Sequence, residues 1–158
     1  ILVVGSGSMM EWAKNEAQNR ALKNILFTGS FPIEVMPPLF AKAKALLVTL
    51  NSSEIFSYTI PSKVQAYMNA GRPIIASING EAARVIEEAQ AGLTCPAGDH
   101  RALAAKIIQF FNMSKCERDI MAGNSKRYFL ENYEMQKQCE ELIEILQQKI
   151  EIKRQASK

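Results

Sequence analysis

Pro61-Ser62-Lys63-Val64-Gln65-Ala66-Tyr67-Met68-Asn69-Ala70-Gly71-Arg72-Pro73-Ile74-Ile75-Ala76 reads as a helix, a stop and a buried strand in direct succession. Pro61 fixes the entry of the chain. The helix runs from Pro61 or Ser62 to Ala70 and ends at Gly71, which serves as the C-cap residue. Pro73 to Ala76 is a short apolar strand. Outward in both directions the same alternation repeats. Upstream, Ile1–Val4 is an apolar strand running into Gly5-Ser6-Gly7-Ser8, and helical spacing follows at Trp12, Ala13, Ala17 and Leu22. Ile25-Leu26-Phe27 is a second strand. A helix carrying Val35, Leu39, Phe40 and Ala43 leads to a third strand, Ala45–Val48, and then a polar loop, Asn51–Thr59. Downstream, a helix over Glu81–Ala89 and a strand over Leu93–Cys95 follow. Helices over Asp99–Phe111, Glu117–Leu130 and Glu134 to about Lys153 complete the chain. Strands alternating with helices imply βαβ units, hence an α/β fold with a Rossmann-like parallel sheet and helices on both faces.

In such sheets ligands bind beyond the carboxyl ends of the strands. Three loops there carry chemistry suited to an anion. In Gly5-Ser6-Gly7, two glycines let backbone amides approach a phosphate closely, ahead of a helix start. The dinucleotide pattern is incomplete: Met10 stands where the third glycine belongs, and no acid ends the next strand. A tight strand-to-helix turn explains the loop equally well. In Thr59-Ile60-Pro61-Ser62-Lys63, Ser62 can cap the helix and Gln65 completes a capping box. Lys63 fits less well, since a cation in the first turn opposes the helix dipole by about 0.3–1 kcal/mol. A bound anion reverses that sign. At Asn79-Gly80-Glu81, the carboxylate either favours the dipole or holds sugar hydroxyls.

The ordered residues Val3-Val4-Gly5-Ser6-Gly7, Ile25-Leu26-Phe27-Thr28-Gly29, Ala45–Val48, Pro61–Ala76, Gly92-Leu93 and Pro96-Ala97-Gly98-Asp99 resemble the C-terminal domain of family-four glycosyltransferases of the GT-B fold. Within that family they are most similar to the WbuB-like bacterial fucosyl- or N-acetylfucosaminyl-transferases of surface-polysaccharide synthesis. The resemblance covers nearly the whole chain, so residues 1–158 form one nucleotide-sugar-binding domain. It implies a UDP- or GDP-linked sugar donor and glycosyl transfer with retention, with no metal and no cofactor. It also implies a glycan or lipid-linked acceptor held by a separate N-terminal domain. Gly29, Ser30 and Phe31 would flank the base. Ser62, Lys63 and nearby amides would hold the diphosphate, and Gly5, Ser6 and Gly7 would lie near the donor. Tyr58, Thr59, Ile60 and Glu81 complete the candidate set. The family carries two glutamates at positions that align with Tyr58 and Ala66, and neither is acidic here. The sugar and ribose contacts must therefore come from elsewhere, with Glu54 the nearest substitute.

Composition narrows the alternatives. Of 158 residues, 47% are hydrophobic and 22% charged, which suits a packed domain. A net charge of +3 without a basic run interleaved with aromatics argues against nucleic acid. The cluster Lys149, Lys153, Arg154 and Lys158 reads as a solvated helix end, or as a weak contact to an anionic membrane surface. Three cysteines without metal spacing read as free thiols in a reducing, cytoplasmic setting, at or near the inner membrane face if the acceptor is lipid-linked. His100 reads as a surface residue at a helix start. No apolar run reaches the roughly 18 residues of a membrane span. Because Ile1 opens inside a core-type strand, an additional preceding domain is expected. Leu142, Ile145, Leu146 and Ile150 form a stripe on the last helix. It packs on the domain's own sheet or, as the resemblance implies, crosses to the N-terminal domain. Two rival functions are a non-catalytic nucleotide-binding module, favoured by the missing glutamates, and a nucleotide-sugar epimerase, for which His100 is poorly placed.

Overall fold

The computed structural model describes residues 1–156. Lys158 lies outside them, and the Arg154 side chain is also undescribed, so the reading of the basic cluster rests on Lys149 and Lys153. The elements are β1 (Leu2–Val4), α1 (Met10–Asn19), β2 (Leu26–Gly29), a 3-10 turn (Ile33–Val35), α2 (Met36–Lys42), β3 (Leu46–Thr49) and α3 (Glu54–Ser57), then α4 (Ser62–Asn69), β4 (Ile74–Ser77), α5 (Glu81–Glu88), β5 (Gly92–Cys95), α6 (His100–Asn112), α7 (Lys115–Asn132) and α8 (Met135–Ala156). The α/β reading holds: every strand pairing is parallel, and helices flank the sheets.

The chain divides into two compact units, residues 1–39 and 40–158. In the first, β1 and β2 pair from Leu2↔Leu26 to Val4↔Gly29. In the second, β3, β4 and β5 form a sheet in that order, in register from Leu46↔Ile74↔Gly92 to Thr49↔Ser77↔Cys95. The central strand β4 is buried along its whole length, as a continuous Ile-Ile-Ala-Ser run on a doubly covered parallel strand should be. Around it close Val48, Val64, Met68, Ile78, Ala82, Val85 and Ile86. Helix α4 packs on β3, β4 and α7, α5 on β5, and α6 on β4 and β5. Gly92 admits no side chain, because a Cβ there would fall 1.9 Å from the Ile74 carbonyl oxygen.

Several expectations change. The segment 51–59, expected to be loop, contains the single turn α3. Leu22 falls after the end of α1, beyond Ala21 in the left-handed region. The stripe on α8 is exposed and does not pack on the domain's own sheet. Helix α7 opens with a reciprocal capping box, Ser114 with Glu117, that sequence reading had passed over. Ser114 holds the Glu117 carboxyl below its usual range. Gly71, at φ +61°, ends α4 as expected.

Candidate functional site

Within the first unit, the loops after β1 and β2 are tied together. Gly5 N–H donates to the Gly29 carbonyl at 2.8 Å, and the Ser30 hydroxyl donates to Ser6 Oγ at 3.1 Å. Gly5 and Gly29 both have positive φ, +128° and +73°, and a Cβ at either would touch nothing. Their need for glycine is therefore conformational. Gly7 accepts from Met10 N–H at the entry to α1, and Phe31 is exposed. The structure thus joins Gly5, Ser6, Gly29 and Ser30 into one polar rim at the carboxyl ends of β1 and β2.

In the second unit, α4 is held firmly. Val64 and Met68 are buried, and Tyr67 meets Phe40 edge-on at 5.1 Å between ring centroids. Its amino end is open. Pro61, not Ser62, occupies the N-cap position, and no side chain caps the helix. The first bond runs from Val64 N–H to the Pro61 carbonyl at 2.9 Å. Ser62 is therefore the first helical residue, one position too late for its hydroxyl to cap the following amides, and Gln65 no longer sits where a capping box needs it. The expected cap is absent for that reason. No acid lies in the first turn of α4, and Lys63 is exposed. Among the described residues the Lys63 side chain makes no hydrogen bond and no ion pair. Free amides, the positive end of the dipole and an unengaged ammonium group together favour an anion there.

The segment before α4 lies close to the start of α5. Gly80, at φ +72°, presses on Ser57 so closely that a Cβ would fall 2.1 Å from the Ser57 carbonyl oxygen. The backbone therefore brings Tyr58 and its neighbours beside the turn that begins α5 at Glu81. Tyr58 is 77% exposed. Thr59 donates to the Phe56 carbonyl, and Ile60 packs against the core. Glu81 is engaged by Arg84, whose Nε and Nη2 donate to its two oxygens at 2.8 and 2.5 Å. That bonding holds the Glu81 carboxyl below its usual range. Of the two readings of Glu81, the one in which it serves the helix has a visible partner. Ala66 and Glu54 are exposed, Glu54 in the first turn of α3.

Beyond the carboxyl ends of β3 and β4, beside the start of α6, lies an open depression of about 200 Å³ lined by Thr49, Leu50, Asn51, Ser77, Gly98, His100 and Leu103, of which Thr49, Asn51, Gly98 and His100 are exposed. Sequence reading had not assigned these residues to a site. Only the rule that ligands sit beyond strand carboxyl ends pointed there. Among the described residues, no group of three or more His, Cys, Asp or Glu side chains could hold a metal. No described helix is long and apolar enough to cross a membrane. The three cysteines are free, Cys95 buried and Cys116 and Cys139 exposed.

A sequence profile of the family described as Glycosyl transferases group 1 matches residues 1–113. The chain belongs to that family. A sequence search of curated proteins finds no match. Among solved structures, this glycosyltransferase domain is similar to HepE of Anabaena in complex with UDP, with a TM-score of 0.77 and 18% identity over 93% of this chain and 40% of that one. The HepE complex with UDP-glucose gives 0.76. A mutant of S. aureus TarM in complex with Fondaparinux, alpha-GlcNAc-glycerol and UDP gives 0.73 with 18% identity, over 90% of this chain and 28% of that one. At these identities the likeness establishes the shared GT-B glycosyltransferase fold, and the chain spans well under half the length of either protein. The family match stops at residue 113, so α7 and α8 lie beyond it.

Proposed function

We propose that this domain binds the diphosphate of a nucleotide sugar at the amino end of α4, as part of a glycosyltransferase. One observation carries the reading: α4 is anchored by buried Val64 and Met68, yet its amino end has no cap and bears the unengaged Lys63. A leaving nucleoside diphosphate gains negative charge as the glycosidic bond breaks. Fixed amides, a helix dipole and an ammonium group would stabilise that charge without a metal. The Gly5–Ser6–Gly7 and Gly29–Ser30–Phe31 loops would hold other parts of the donor, with Tyr58, Thr59, Ile60 and Glu81 flanking the phosphates. The neighbours solved with UDP and UDP-glucose support a uridine donor, though guanosine stays in the proposal until the two are compared.

The finer parts of the proposal come from the resemblance. They are transfer of a hexosyl group, fucosyl or N-acetylfucosaminyl in the WbuB-like manner, with retention, in bacterial surface-polysaccharide synthesis. The acceptor, a glycan or a lipid-linked one, would be supplied through a further domain in the cytoplasm at the inner membrane face. Residues 1–158 would then be the donor domain of a longer enzyme.

The Lys63→Ala variant of the full-length protein tests the reading. A lost charge-assisted contact of about 1.5–3 kcal/mol weakens UDP or GDP binding roughly tenfold to a hundredfold and lowers turnover in parallel. Wild-type affinity and turnover in that variant would refute the assignment. A second reading, a nucleotide-binding module without catalysis, is favoured by Tyr58 and Ala66 standing where the family has glutamates. Tight nucleotide binding with no transfer to any acceptor by the full-length protein would establish it.

A further inference from the structure

Resting on the diphosphate reading of α4, we propose that Lys126 of α7 is a positioning residue for that site: it clamps the carboxyl end of α4 and so fixes where the open amino end stands. Its Nζ donates to both oxygens of Asn69, the backbone carbonyl at 2.9 Å and Oδ1 at 2.7 Å. Asn69 is the last residue of α4, and its carbonyl is one of those a helix leaves without an internal partner at its carboxyl end. The last turn of α4 contains no cation of its own. The charge that complements the negative end of its dipole comes instead from another helix, 57 residues along the chain. That helix lies beyond residue 113, where the family match ends.

The clamp is built on a packed base. Lys126 Nζ also lies over the Phe129 ring, 5.5 Å from its centroid, and Phe129 packs against the core with Tyr128 and Tyr133. The turn that ends α4 lies directly against α7: a Cβ at Gly71 would stand 3.4 Å from Lys126 Cβ and 3.8 Å from the Ala122 carbonyl oxygen. No side chain caps the other end of α4. One end of the helix is held by hydrogen bonds from outside it, and the other is open to an anion. Lys126 acts by position and not by charge. Eight residues at 1.5 Å rise put it roughly 12 Å from the amino end of α4. That exceeds the Debye length of about 8 Å at physiological ionic strength, and the Asn69 contact lies at the surface, so its direct pull on a phosphate is largely screened. Geometry is what remains. Groups that bind a ligand must be held within about 0.5 Å of their working positions by the residues behind them. Releasing Asn69 frees the last turn of a short helix, and the amides at its far end lose their aim.

Three variants of the full-length protein test the clamp, with UDP and GDP as probes and at a temperature where each variant is fully folded. Lys126→Met keeps an apolar stem beside Phe129 and loses the ammonium group. Its affinity for the nucleotide falls about threefold to tenfold, the loss of one hydrogen bond. Lys126→Arg keeps donors for Asn69 and stays within about twofold of the unmodified protein. Ser114→Ala removes the cap at the opposite end of α7, which lowers stability and leaves affinity unchanged. That pattern supports the clamp when the Ser62 and Lys63 amide resonances of the nucleotide-free protein also move in Lys126→Met and return in Lys126→Arg. Unchanged affinity in Lys126→Met overturns it. So does equal weakening in Lys126→Arg or in Ser114→Ala, which marks a general loss of stability or of packing. Weak binding in Lys63→Ala beside unchanged binding in Lys126→Met overturns the clamp alone. Failure of the unmodified protein to bind either nucleotide overturns the proposed function as well.

Discussion

The two units of this chain follow one sequence pattern, apolar strand then helix, yet they close their cores to different degrees. In residues 1–39 no residue is buried, and Leu26 on β2 is 62% exposed. In the second unit, β4 is buried throughout, and Val64, Met68, Ile74 and Ile86 have no exposure at all. The parallel strand β4 is a core strand because helices pack over it. Burial, not the alternation of elements, therefore sets where stability lies, at about 25 cal/mol per Å² of apolar surface removed from water. The second unit supplies a rigid frame for α4. The first unit holds its loops together with backbone and serine hydrogen bonds.

This contrast can be broken in graded steps. Met68→Ala removes a fully buried side chain behind α4 and should cost about 2–5 kcal/mol, measured by urea or thermal unfolding. A loss below about 1 kcal/mol would mean that the core repacks and that the second unit is not the frame described. Gly80→Ala should come next. It forces a non-glycine residue into a nearly glycine-only conformation, costing about 1–3 kcal/mol. It also drives a Cβ into the Ser57 carbonyl. Weakened nucleotide binding beyond the stability loss would show that the Ser57–Gly80 contact positions the lead-in to α4. Leu26→Ala, in the first unit, should change unfolding by no more than about 0.5 kcal/mol in this chain, as at other exposed positions. A cost near that of Met68→Ala would show that β2 is covered in solution and would erase the contrast.

The sequence made the alternation and the parallel pairing legible, because strand runs such as Ile74–Ala76 and the stop at Gly71 carry local signals. What escaped it was set by geometry of one residue or by tertiary assembly. Helix α3 is a single turn, too short to show a period. Ser62 looked like a cap, but the carbonyl of Pro61 takes the first helical bond, and the hydroxyl arrives one residue late. The Gly80–Ser57 approach joins residues far apart in sequence. His100 was rightly placed at the surface of a helix start, but its place around one depression with Thr49, Asn51 and Ser77 depends on strands ending side by side. The exposure of the α8 stripe is likewise a statement about partners, which a period of 3.6 cannot contain.

The most direct measurement is a map of backbone amide shifts as UDP, or GDP, is added to the ¹⁵N-labelled protein. The amides of Ser62 and Lys63 should move furthest and saturate with the nucleotide. Large shifts confined to other segments, with those two amides still, would contradict the proposed binding site.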